Sequence, residues 1–295
     1  MGGVALPELA GAVAAAGALG MLCEFDVAPS TERMTAALGA AGGGAVGMGF
    51  FGHWMSSDLA TFEEAAARLR VVEVFWTKPD AGVVKRARAA GPALVTWQVG
   101  SLEDALAAAD AGCDFLVLQG TEAGGHVCGA MARDELLAAV LGRTTIPVVA
   151  AGGIASAAAV AAAIGSGAAA VRVGTRFVAT IESGAHPSYI DALVAARSGE
   201  DTVLTTTFSD GWPNAPHRVL RSAVAAAEAF QGDFVGQVVA GDVRVAVPRY
   251  GVATPSRRVE GEVAAMALYA GEGVGDVTGV LSAAAVVEEL VSQLA

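Results

Sequence analysis

The densest cluster of chemically capable side chains in this sequence is the run Gln119-Gly-Thr-Glu-Ala-Gly-Gly-His126. Paired glycines let a backbone approach a flat ligand, and a histidine titrates near neutral pH. The run follows the apolar stretch 114–118 directly. At the carboxyl end of a barrel strand, such a loop is where chemistry is done. Two later runs repeat the pattern of strand into glycine. Ile146-Pro-Val-Val-Ala-Ala-Gly152-Gly153-Ile precedes a helix opened by Ser156, and Ala169-Ala-Val-Arg172-Val173-Gly174-Thr175 follows it. Exposed amides and the positive end of a helix dipole favour phosphate, and consecutive loops of this kind after two late strands form the phosphate-binding arrangement of barrels.

Other motifs carry less. Gly47-Met-Gly49-Phe-Phe-Gly52 has the spacing of a dinucleotide fingerprint, with Glu73 about 20 residues on. Its glycines, however, lie in or just beyond a strand, and Phe50, Phe51, His53 and Trp54 follow in place of a helix. His53 and Trp54 are candidates for a pocket mouth. His126-Val-Cys128 has no second cluster to complete a metal site. His186 and His217, each beside a proline, read equally as loop polar groups or as substrate contacts. Cys23, Cys113 and Cys128 lie far apart without a CxxC pair, which indicates reduced thiols and a cytoplasmic setting. Cys113, in apolar surroundings, reads as a small core residue.

The elements that must hold these loops are also legible. Helix patterns run over 7–16, 30–41, 57–70, 79–90, 101–111, 133–141 and 156–165, several opened by a proline or a capping serine. Between them lie strand candidates at 18–22, 45–50, 71–76, 93–98, 114–119, 146–151 and 169–173. Most are apolar throughout, as burial on both faces of a parallel sheet requires. Strand and helix thus alternate as βα units. Seven strands, with a helix before the first, fit either an open doubly wound sheet or a TIM-type (β/α)8 barrel lacking its first strand, and the consecutive phosphate loops select the barrel. Residues 1–182 and 260–295 make up that barrel. The prolines, Trp212 and polar stretch of 183–259 read as a small helical and loop insertion over the active-site face, and helices are expected at 263–270 and 282–294.

Composition narrows the class of partner. A net charge of −12, with only Lys78 and Lys85 among the lysines, argues against nucleic acid and anionic membrane. No apolar run approaches the ~18 residues of a membrane span, and the N-terminus has no basic leader. A small-molecule substrate remains.

At the three loops the sequence resembles the nitronate monooxygenase family, formerly called 2-nitropropane dioxygenases. Its members carry a QGxEAGGHxG loop, an AAGGI turn and a GTRF segment followed by Glu-Ser. Here these are residues 119–129, 150–154 and 174–177, with Glu182 and Ser183. The resemblance implies FMN over the carboxyl ends of the strands, with Gln119 and the backbone of Gly124 and Gly125 facing the flavin. Gly152, Gly153 and the segment Arg172, Val173, Gly174 and Thr175 would hold its phosphate through main-chain N–H groups. His126 would be the catalytic residue, a base towards a nitroalkane or a positioning group for an anionic nitronate. The implied reaction is FMN-dependent oxidation of alkyl nitronates by O2 to a carbonyl compound and nitrite. Alternatives are an FMN-dependent enoyl-thioester reductase and a flavin-binding barrel without catalysis. Two positions depart from the family. Gly49 stands where relatives carry a flavin-contacting asparagine. Met1 aligns with a methionine that ends their first strand, against the flavin ring. The expectation is therefore that the functional protein begins upstream of Met1, with roughly 10–20 further residues supplying the first strand.

Overall fold

The computed structural model describes residues 1–23, 29–55 and 59–294. Among them, the short apolar runs become strands β1 (Gly20–Cys23), β2 (Val46–Phe51), β3 (Val71–Phe75), β4 (Leu94–Val99) and β5 (Phe115–Gln119). After the two-residue strand β6 (Gly125–His126) come β7 (Val148–Ala151) and β8 (Ala170–Arg172). The sheet order is β1-β2-β3-β4-β5-β7-β8, parallel throughout, the curved wall of a TIM-type barrel. Within it β1 pairs only with β2 and β8 only with β7, so seven strands are present among the described residues.

Helices return the chain between strands. They are α1 (Pro7–Ala15), α2 (Ser30–Ala40), the short α3 (Gly52–Met55), α4 (Leu59–Arg68), α5 (Ala81–Ala90), α6 (Leu102–Asp110), α7 (Arg133–Val140) and α8 (Ala157–Gly165). Several start where local chemistry places them. The Ser101 hydroxyl accepts from the Asp104 amide at 3.1 Å, and the Asp80 carboxylate accepts from the Gly82 amide at 2.6 Å. Ser156 precedes α8 without making a side-chain cap, which leaves that helix start to other partners. The small residues allow close packing: a Cβ on Gly11 of α1 would lie 2.4 Å from Ala40 Cβ of α2. One apolar core fills the space between the outer face of the sheet and its helices, centred on Met48, Phe50, Trp97, Leu116 and Leu118, and Cys113 packs there as expected. Strand β3 ends one residue before expectation, because Trp76 turns into a left-handed conformation at φ 62°.

Beyond α9 (Thr175–Val178) lies a second apolar core. It gathers α10 (Pro187–Ala195), α11 (Arg221–Ala229) and buried residues from Val178 to Val277, together with Val4. This region holds strands as well as helices. Strand β10 (His217–Leu220) pairs with β6 on one side and with β9 (Thr202–Thr205) on the other, while β11 (Phe234–Ala240), β12 (Val243–Pro248) and β13 (Val259–Gly261) form an antiparallel sheet of their own. The expected helix at 263–270 is instead one 3₁₀ turn, Val263–Ala265, and an extended piece. There Leu220 donates to the Leu268 carbonyl and Ala270 to that of Arg218, so pairing with β10 overrides the helical preference of the alanines. The last helix, α12 (Ala283–Val291), is capped by Ser282 and rejoins the barrel core.

The side chains of His53 and Trp54, and Ser57 at the expected start of the fourth helix, lie outside the described residues. Among those described, no helix is long and apolar enough to cross a membrane.

Candidate active site

The carboxyl ends of the strands surround a cavity of about 680 Å³. Met1, Gln119, Gly124, Gly125, His126, Gly152, Gly153, Arg172, Gly174 and Thr175 all line it. Val173 does not, and packs against the barrel core.

The loop after β5 is built to present His126. Its Gly120 amide donates to Ala151 of β7, and β6 pairs with β10 so that His126 lies opposite His217. Gly124 is needed for close approach, since a Cβ there would meet the Gly271 nitrogen at 2.5 Å. Glu122, at the centre of the motif, faces away from chemistry: both its oxygens accept from the Arg133 amide and cap α7. Arg133 in turn donates to the Gly152 carbonyl at 2.8 Å, fixing the glycine turn.

His126 sits in an aromatic box. The Trp212 ring stacks on it with centroids 4.1 Å apart and planes 25° from parallel, and His217 and Tyr269 lie at 5.3 and 5.6 Å. Trp76 and Phe51 extend the wall through edge contacts with Trp212. Burial, helped by neighbouring His217, pulls the His126 pKa down to about 3. The ring is therefore neutral at physiological pH. Its Nε2 is buried without a partner, as is Oε1 of Gln119, whose amide nitrogen holds the His126 carbonyl at 3.0 Å.

His217 is structural. Its Nε2 accepts from the Phe208 amide at 3.2 Å, so Nδ1 must carry the proton and donate to Ala215 at 2.8 Å. His186 accepts from the Ser188 amide and caps α10.

Polar groups also stand at the cavity floor. Glu73, buried, lies in register with Gly49 and Thr96. Arg172 reaches across from β8, and its Nη1 donates to both Glu73 oxygens and to Gln98 Oε1 at 2.8 Å. The fingerprint-like glycines belong to this wall: Gly47 and Gly49 lie within β2, and only the four-residue α3 follows, so no dinucleotide turn forms. The two orphaned polar atoms beside a flat aromatic wall fit a planar heterocycle that both donates and accepts. Gly153 and Gly174 fit a phosphate. Their amides have no acceptor among the described residues, and a Cβ on Gly174 would meet nothing nearer than Met1 Sδ at 3.8 Å.

Sequence reasoning missed Trp212, Trp76 and Tyr269 as partners of His126, and Glu73 with Gln98 as cavity residues. Only Trp212 and Glu73 carried any signal, the first as an isolated aromatic in a polar stretch and the second through a motif that does not apply.

Residues 59–293 match the family model described as Nitronate monooxygenase. The chain is 35% identical over 237 residues to nitronate monooxygenase npaC of Metarhizium robertsii, covering 70% of this chain and 66% of that protein. It is 35% identical over 234 residues to a (3aS,4S,5R,7aS)-5-hydroxy-7a-methyl-1-oxo-octahydro-1H-indene-4-carboxyl-CoA dehydrogenase of Mycobacterium tuberculosis, covering 75% of this chain and 61% of that one. The matches thus span under two thirds of either relative's length. Among solved structures, a nitroalkane oxidase from Streptomyces ansochromogenes superposes with a TM-score of 0.74 at 27% identity, covering 100% of this chain and 93% of that one.

Proposed function

The chain belongs to the nitronate monooxygenase family of flavoenzymes, and we propose that it holds FMN and oxidises alkyl nitronates with O2 to a carbonyl compound and nitrite. When bound, FMN supplies the redox chemistry. The protein's part is to hold, orient and enclose. The amides of Gly153, Gly174 and Thr175, in the turns that follow β7 and β8, would take the phosphate. Gln119 and the backbone of Gly124 and Gly125 would face the ring with Met1 against it, and residues 183–259 would close the mouth with Trp212.

One observation carries the substrate choice: the His126 ring is enclosed by Trp212, His217 and Tyr269, and this burial holds its pKa down to about 3. A base works best with a pKa near the operating pH, so this ring is poorly matched to removing a proton from a neutral nitroalkane. A nitronate arrives already deprotonated, and an imidazole N–H needs only to donate to one of its oxygens. His126 therefore positions the anion.

The experiment uses purified protein. Heat-released supernatant is expected to contain FMN, and turnover of preformed nitronate to exceed that of the parent nitroalkane. FAD in place of FMN overturns the cofactor assignment, and preferred nitroalkane turnover overturns the role of His126. The likeness to the CoA-thioester dehydrogenase supports a second reading, redox chemistry on an acyl thioester. Flavin reduction by NAD(P)H with enoyl-thioester turnover, and no nitronate activity, selects it.

A further inference from the structure

We propose that the Glu73–Arg172 pair reads the hydrogen-bonding edge of the bound flavin and tunes its reduction potential, with Glu73 standing in for the side chain that Gly49 lacks. The inference rests on the FMN reading above.

Glu73 is in the middle of β3, directly opposite Gly49, so the two positions share one face of the sheet. Glu73 Oε1 lies 3.4 Å from where a Cβ on Gly49 would stand. The absence of a side chain at 49 is what admits the carboxylate, and both residues line the cavity.

Barrel interiors are filled by branched apolar side chains, and a buried ion pair is commonly no more stabilising than the apolar residues that could replace it. Glu73 is 4% exposed, and its charge is met by a guanidinium from a strand 99 residues away. Packing does not call for such a pair in the layer that borders the cavity. A ligand with matching polar groups does.

The pyrimidine edge of an oxidised flavin presents one N–H between two carbonyls. A carboxylate accepts from that N–H, while Arg172 and Gln98 supply donors for the carbonyls. Reduction adds negative charge to this end of the ring, so a nearby cation favours the reduced form and a carboxylate opposes it. The pair therefore sets the potential by balance.

The test uses the full chain loaded with FMN, in wild-type, Glu73→Gln, Arg172→Gln and doubly substituted forms, with midpoint potential and FMN affinity measured for each. Glu73→Gln is expected to raise the potential by about 30 mV, the equivalent of a tenfold change in the ratio of affinities for reduced and oxidised FMN. Arg172→Gln is expected to lower it by a similar amount, and the double variant to return towards wild type. A purely structural pair would move both single variants in the same direction or leave both unmoved, and either result overturns the inference. Should Arg172→Gln fail to fold, the Glu73→Gln shift and its reversal in the double variant decide. Wild-type protein that takes up no flavin overturns the FMN reading beneath the inference; loaded protein with unmoved potentials overturns the inference alone.

Discussion

At the scale of single residues, His126 shows how a reactive group is conditioned by its surroundings. In the unfolded chain its ring takes up a proton near pH 6.5, and in the fold only near 3. Between those values the unfolded state binds more protons, so stability falls as pH drops, by about 1.4 kcal/mol per pH unit. Above that window the ring is neutral in both states and adds no pH dependence. Urea midpoints measured from about pH 7 to pH 4 should therefore fall less steeply in His126→Gln than in wild type. Equal slopes would show that the ring is hydrated in the native state. Trp212 is the neighbouring lever. Trp212→Ala removes the stacked ring, lets water reach His126 and should raise its pKa towards the ordinary value, moving the acid limb of the pH–rate profile upward. Loss of the stacked pair alone is worth about 0.5–1.5 kcal/mol. A lower rate with an unchanged profile would make Trp212 a wall and nothing more.

Among the elements, the loop from β5 to β6 is the one most constrained by backbone approach. Gly124 and Gly125 are adjacent, yet they differ physically. A Cβ on Gly124 would run into Gly271 and Ala270 backbone at 2.5 and 2.7 Å, whereas one on Gly125 meets nothing within 4 Å but must adopt φ +85°. Gly125→Ala is therefore expected to cost about 1–3 kcal/mol in strain and leave the loop in place. Gly124→Ala should cost more and shift the loop, because backbone cannot yield as a side chain does. Chemical denaturation of both flavin-free variants checks the order, and a less stable Gly125→Ala protein would reverse the argument. This loop was legible as a motif, since paired glycines before a histidine are local chemistry. The cap formed by Glu122 was not, because α7 begins beyond the motif that Glu122 belongs to.

For the molecule as a whole, two apolar cores meet at the cavity. Val4 packs in the second core, its carbonyl accepts from Gly184, and β6 of the His126 loop pairs with β10 beyond it. Cores tied in this way should unfold together. Leu193→Ala, in the second core and 0% exposed, should cost about 2–5 kcal/mol and lower the temperature of flavin release in step with the loss of secondary structure. Flavin retained through an earlier, separate transition would mean that the two cores are independent.

Whatever was set by neighbours along the chain could be read from the sequence alone. The seven parallel strands announced themselves as apolar runs between helix signals, and the loops that border the cavity as glycines following those runs. Gln119, Gly124, Gly125, His126, Gly152, Gly153, Arg172, Gly174 and Thr175 do face one cavity, because strand ends converge in a barrel whatever the intervening helices contain. Tertiary structure decided the rest. It stacked Trp212 on His126, set Glu73 against Arg172 and drew 263–270 out of a helix to pair with β10. These contacts join residues tens of positions apart, and such pairs carry no periodicity or spacing. Only closure of the chain brings them within reach, and only then do burial and charge reveal what each side chain does.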